Sequence, residues 1–232
     1  MTSDIVGTRR PALMPRQAMH RRRRRIASSR ARTVSRCQER KEHPLAMPRF
    51  FDDQQYAIIQ AACARLIPTD DDPGATEAGV VDYIDGLLGA FASDPPLIWA
   101  GGPFSGRFGG EPRFSNFHRL SRHDELAWRT RIEGSRGIEE RERLGPVIGW
   151  QEHYRAGILA LGADFCDVSP EEQDRRLRAN ESFVDLLYEH ACEGMYGAPE
   201  YLGNRDHLGW RYIGFPGDVQ PRGYPDDEVS EP

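Results

Sequence analysis

The chain predicts a mainly α fold: a single helical domain with two long ordered loops rich in glycine and aromatics, preceded by a disordered basic leader. Three observations predict it. Apolar residues recur at three- and four-residue steps through successive stretches, helix-starting signals stand in front of several of them, and no stretch sustains two-residue alternation with β-branched residues. At 232 residues the chain can bury one sizeable core.

Charge divides the chain before any element does. Residues 1–46 hold 13 Lys+Arg against 3 Asp+Glu, whereas residues 47–232 hold 18 against 33. The leader, with Arg21 to Arg25 in a row and no patterned apolar run, is expected to be disordered. Clustered arginines suit phosphates, but no aromatic or helical pattern accompanies them, so no nucleic-acid partner is expected. The PALMPRQAMH that follows Arg10 lacks the apolar h-region of an export signal. The abrupt composition change at Met47 favours translation from that methionine. The expected organisation is therefore 1–46 leader, 47–217 helical domain and 218–232 acidic tail.

The first helix is expected from Asp52, where Asp52-x-x-Gln55 forms a capping box behind Phe51, with Tyr56, Ile59, Cys63 and Leu66 on one face until Pro68 ends it. After the acidic turn PTDDDPG, a second helix is expected from about Thr76, burying Val80, Val81, Ile84, Leu87, Leu88 and Phe91. Residues 97–117 mix glycine with aromatics and read as the first shaped loop. Ser121 caps a third helix carrying Leu126, Trp128 and Ile132, which Gly134 interrupts. A fourth is expected from Pro146 to about Phe165. Ser169-Pro170-Glu171-Glu172 starts another with a capping box, and the last helix, carrying Phe183, Leu187 and His190, is expected to end near Gly194. Residues 194–217, with six glycines and five large aromatics, read as the second loop and as aperiodic. Loops this long in a compact domain are usually functional.

Catalytic and cofactor signatures do not assemble. The glycines at 101–102 and 106–110 lack dinucleotide-binding spacing, and no strand precedes them. No Glu has a His three residues later, as a di-iron bundle needs, and Glu189, His190, Cys192 and Glu193 form only a loose cluster. Ser105 sits in GPFSG, not in a nucleophile elbow, and the acidic triplet Asp70 to Asp72 lacks calcium-loop spacing. The four cysteines form no C-x-x-C pair and read as small apolar residues. No catalytic, cofactor-binding or metal residue is assigned, no transmembrane run is present, and a binding or subunit role follows.

Three places carry a family resemblance: Leu66-Ile67-Pro68-Thr69-Asp70 leading into Pro73-Gly74-Ala75-x-Glu77-Ala78-Gly79-Val80; the end of the helix from Phe183 to Tyr196; and Tyr201-x-Gly203-Asn204 followed by Gly209-Trp210-x-x-Ile213-Gly214-Phe215-Pro216-Gly217. In these the chain resembles the gluconate 2-dehydrogenase subunit 3 family. The resemblance implies a non-catalytic small subunit that stabilises, and helps to export, an FAD-containing catalytic subunit of the glucose-methanol-choline type acting on a sugar, sugar acid or other alcohol. A cytochrome c subunit with haem c would take the electrons. The family implies a periplasmic or envelope location, with the cytoplasm as the alternative because the h-region is missing. Leu202 stands where the family often has a second glycine. Aromatics and arginine anchor interfaces, so the expected partner contacts are Trp99 and Phe104 on the first loop and Tyr201, Asn204, Arg205, Trp210, Arg211 and Phe215 on the second. The alternative is a stand-alone helical protein with a small-molecule pocket between the loops, or a metal near His190.

Overall fold

A computed structural model describes residues 50–94, 96, 98 and 119–216. The leader, the acidic tail and nearly all of the first loop, including Trp99 and Phe104, lie outside the described residues. Among the described residues eight α-helices follow in order: α1 (Asp53–Leu66), α2 (Ala75–Ala78), α3 (Val80–Leu88), α4 (Arg122–Glu133), α5 (Trp150–Leu161), α6 (Pro170–Arg178), α7 (Glu181–Tyr196) and α8 (Leu208–Ile213). Among the described residues there is no strand, so the protein is mainly α as the periodicity predicts.

Helix α1 begins with the expected capping box. Asp52 accepts from the Gln55 amide at 2.8 Å, and the Gln55 side chain accepts from the Asp52 amide at 3.2 Å. Its buried face, Tyr56, Ile59, Ala62 and Cys63, meets α3 and α7. These helices and α5 share a core with Val80, Ile84, Leu88, Tyr154, Leu161, Phe165, Leu187 and Met195 all essentially solvent-free. Each fully buried Leu or Ile there contributes roughly 1.5–3 kcal/mol of transfer free energy. Burial also pushes the Cys63 thiol up to about 12, so it behaves as a core residue. Cys166 and Cys192 are half-buried.

Five local expectations are corrected. The second helix breaks at Gly79 (φ 70°, ψ 32°) into α2 and α3. A Cβ there would stand 2.5 Å from Arg205 Nε, and that guanidinium pairs with Asp82 on the first turn of α3. The fourth helix starts at Trp150, because Val147 N–H and C=O are both engaged by Ser135 (3.0 and 2.9 Å), and it stops at Leu161 before Gly162 (φ 91°). At α6 the Ser169 hydroxyl accepts from the Glu172 amide, but the Glu172 carboxylate turns to Arg175 and Arg176 at 2.6–2.9 Å. Those guanidinium bonds hold its carboxyl down to about 2. Helix α7 continues through Gly194 to Tyr196, and residues 208–213 form α8 inside the stretch expected to be aperiodic.

Candidate functional site

The segment after α7 is built from backbone conformations that L-residues rarely adopt. Leu202, Asn204, Asp206 and His207 all hold positive φ, between 46° and 78°. Each such residue costs roughly 1 kcal/mol or more, and such strain persists only where surrounding contacts impose it.

Asn204 supplies those contacts. It is fully buried; its backbone N–H donates to Gly194 O at 2.7 Å, its Nδ2 to Gly197 O at 2.9 Å, and its Oδ1 accepts from Gly209 N at 2.8 Å. One side chain thus ties the end of α7 to the start of α8. Gly209 permits the approach, since a Cβ there would lie 1.9 Å from Met195 O. Trp210, 9% exposed, donates from Nε1 to Tyr196 O at 2.8 Å and meets the Phe215 ring edge-on at 5.1 Å. Arg205 reaches back to Asp82, whose other oxygen accepts from Tyr56 OH at 2.7 Å. The turn between α1 and α2 is closed in the same manner: Thr69 OH and Gly74 N–H both donate to the Glu77 carboxylate. The three motif regions therefore meet in one clasp.

The clasp leaves two surfaces. Its outer end presents Tyr212 (52% exposed), Ile213 (55%) and Phe215 (40%), with Arg211 beside them donating to Asp206 O. On its inner side a cavity of about 350 Å³ is lined by Tyr83, Leu87, Ile98, Trp128, Tyr201 and Leu202 together with Glu193. Tyr83 OH donates to Glu193 Oε2 at 2.7 Å. Burial raises both groups, Glu193 above the usual carboxylate range and Tyr83 beyond the ordinary phenol value.

Of the expected contact residues, Phe215 and Arg211 lie on the outer surface, Tyr201 lines the cavity, and Asn204, Arg205 and Trp210 make the internal bonds given above. Tyr83 and Tyr212 were not among the expected contacts, Leu87 and Trp128 were read as helix-face residues, and Leu202 and Ile213 only as motif positions. Helical period puts Ile213 on the same face as Gly209 and Trp210, so its exposure at the last residue of α8 could not be read from the spacing. His190 is buried in the core, with Nδ1 3.0 Å from Tyr154 OH and its ring edge-on to Trp150 at 4.6 Å. Among the described residues no three His, Cys, Asp or Glu side chains converge as a metal site, and no helix is long and apolar enough to cross a membrane.

The class defined by this geometry is an all-α protein whose irregular C-terminal clasp shapes an apolar cavity and an exposed apolar tip. The chain belongs to the gluconate 2-dehydrogenase subunit 3 family, whose model matches residues 53–217 and so spans all three motif regions. No curated protein and no solved structure matches the chain.

Proposed function

We propose that this chain is the non-catalytic small subunit of a flavin-dependent dehydrogenase complex, docked through its C-terminal clasp on an FAD-carrying catalytic subunit of the glucose-methanol-choline type. The observation that carries the reading is the exposed tip. Tyr212, Ile213 and Phe215 are each exposed near the end of a segment that internal hydrogen bonds hold in shape, within a chain of this subunit family. An apolar patch on a preorganised support binds with little ordering cost. Binding only the folded partner stabilises that partner by linkage, which is the work of an accessory subunit. The proposal places the FAD on the large subunit, as the family resemblance implies. Oxidation of a sugar, sugar acid or other alcohol, electron delivery to a cytochrome c subunit and a periplasmic location complete the proposal, with assistance to export as part of the role.

The test is expression of the catalytic flavoprotein with and without this chain. The proposal expects higher soluble yield, a higher melting temperature and greater dehydrogenase activity with it. A large subunit equally soluble, stable and active alone would remove the subunit reading. The cavity beside Tyr201 supports a second reading, a small-molecule carrier; ligand-induced melting shifts of the isolated protein would favour it.

A further inference from the structure

Leu202 keeps a left-handed backbone (φ 78°, ψ −12°) that glycine would adopt freely. What its side chain adds is a wall of the cavity, opposite Gly86, where a Cβ would stand 3.0 Å from Leu202 Cδ1. Strained residues of this kind cluster at binding sites. Among the described lining residues Glu193 is the charged one. Its carboxylate accepts from the Tyr83 hydroxyl, beside the aromatic walls of Tyr83, Trp128 and Tyr201. An apolar group with a cation next to it satisfies both parts of this surface, because a partly desolvated carboxylate gains most from a charge-assisted bond.

Resting on the docking reading above, we propose that this cavity receives one large apolar side chain of the catalytic subunit, flanked by a lysine or arginine that Glu193 binds. The cavity volume, about 350 Å³, lies at the lower end of ligand pockets and suits a single anchoring side chain. Tyr201 and Leu202 belong to the same clasp as the tip, because Asn204 just beyond them bonds to both Gly197 and Gly209.

The test measures the dissociation constant of this chain for the purified flavoprotein large subunit, together with the melting temperature of each variant. Leu202→Gly removes the wall and relieves the left-handed backbone. Binding is expected to weaken at least about tenfold, in the range of a lost interface anchor, while the melting temperature stays level or rises. Glu193→Gln is expected to weaken binding several-fold and to flatten its salt dependence. Leu159→Ala, on an exposed face of α5, is expected to change neither. A photo-crosslinking residue at position 87 should capture a large-subunit peptide in which the crosslinked apolar residue lies close to Lys or Arg. Wild-type affinity in both cavity variants, or crosslinking to a co-purified small molecule, overturns the inference and leaves docking at the tip standing. A parallel fall of binding and melting temperature in Leu202→Gly also overturns it, assigning the leucine to folding. If wild-type protein does not bind the large subunit, the docking reading itself fails.

Discussion

Replacing Asn204 by alanine should cost about a quarter to a half of the stability of a typical domain of this kind. The side chain is fully buried and makes two hydrogen bonds that nothing else replaces. Asn204→Ala leaves the buried Gly209 N–H without a partner, worth roughly 1–3 kcal/mol, and exposes the half-buried Gly197 carbonyl to imperfect solvation, worth about 0.5–1 kcal/mol. Alanine at φ 46° adds about 1 kcal/mol, because asparagine tolerates the left-handed region and alanine does not. Together the loss is about 2.5–5 kcal/mol against a typical total of roughly 5–15. For a chain of this size that lowers the melting temperature by about 10 °C. Urea unfolding followed by far-ultraviolet circular dichroism measures it, and hydrogen exchange at Gly209 localises it. Asn204→Gly should recover the conformational part only. A loss below about 1 kcal/mol for Asn204→Ala, or wild-type stability for Asn204→Gly, would refute the assignment of Asn204 as the tie between α7 and α8.

Gly209→Ala puts a methyl group 1.9 Å from the Met195 carbonyl, which belongs to helix backbone and cannot turn aside, so a loss of about 2 kcal/mol or more is expected in the same assay. Gly137→Ala has open space around it and should cost only its left-handed backbone (φ 73°), about 1 kcal/mol. His190 has its pKa lowered by burial from 6.5 to about 4. The unfolded chain therefore binds the proton first, and stability present in full above pH 6.5 is lost as pH falls towards 4, by about 3 kcal/mol. Denaturation midpoints between pH 4 and 7 should show this slope in the wild type and not in His190→Phe. Tyr212→Ser with Ile213→Ser removes exposed side chains and should leave stability within about 0.5 kcal/mol while abolishing co-purification with the large subunit.

Most helices were legible because their signals are local. The Asp52 capping box, the Ser121 and Ser169 caps and the apolar spacing of Ile59, Ile84, Leu161 and Leu187 all describe contacts within a turn or one helix face. The misreadings lie where a distant residue decides. Apolar periodicity runs through Gly79 without interruption, and only Arg205, more than a hundred residues later, makes the break useful. Val147 looks like an early helix residue until Ser135 takes both of its backbone groups. Glu172 had two ways to satisfy its carboxylate, and two arginines outcompeted one amide. In the C-terminal stretch the glycines suggested loop, but Gly203 and Gly209 serve close backbone approach while the residues from Leu208 still close a helical turn. The family motifs were recognisable, but their chemistry was hidden: Asn204, Arg205 and Trp210 looked like contact residues, and the structure ties each of them inward. Glycine content concealed α8, and the exposure of Ile213 at its last residue runs against the helical spacing that groups it with Gly209 and Trp210.

The central claim is that the exposed end of the clasp docks this chain on a flavoprotein large subunit. The most direct test is the affinity of the isolated chain for that subunit, measured for the wild type and for the Tyr212→Ser, Ile213→Ser double variant at matched melting temperature. The account predicts a stable stoichiometric complex with the wild type and a loss of affinity of at least about a hundredfold in the variant, as for the removal of two interface anchors. Equal affinity of the two proteins, or no complex with either, would contradict it.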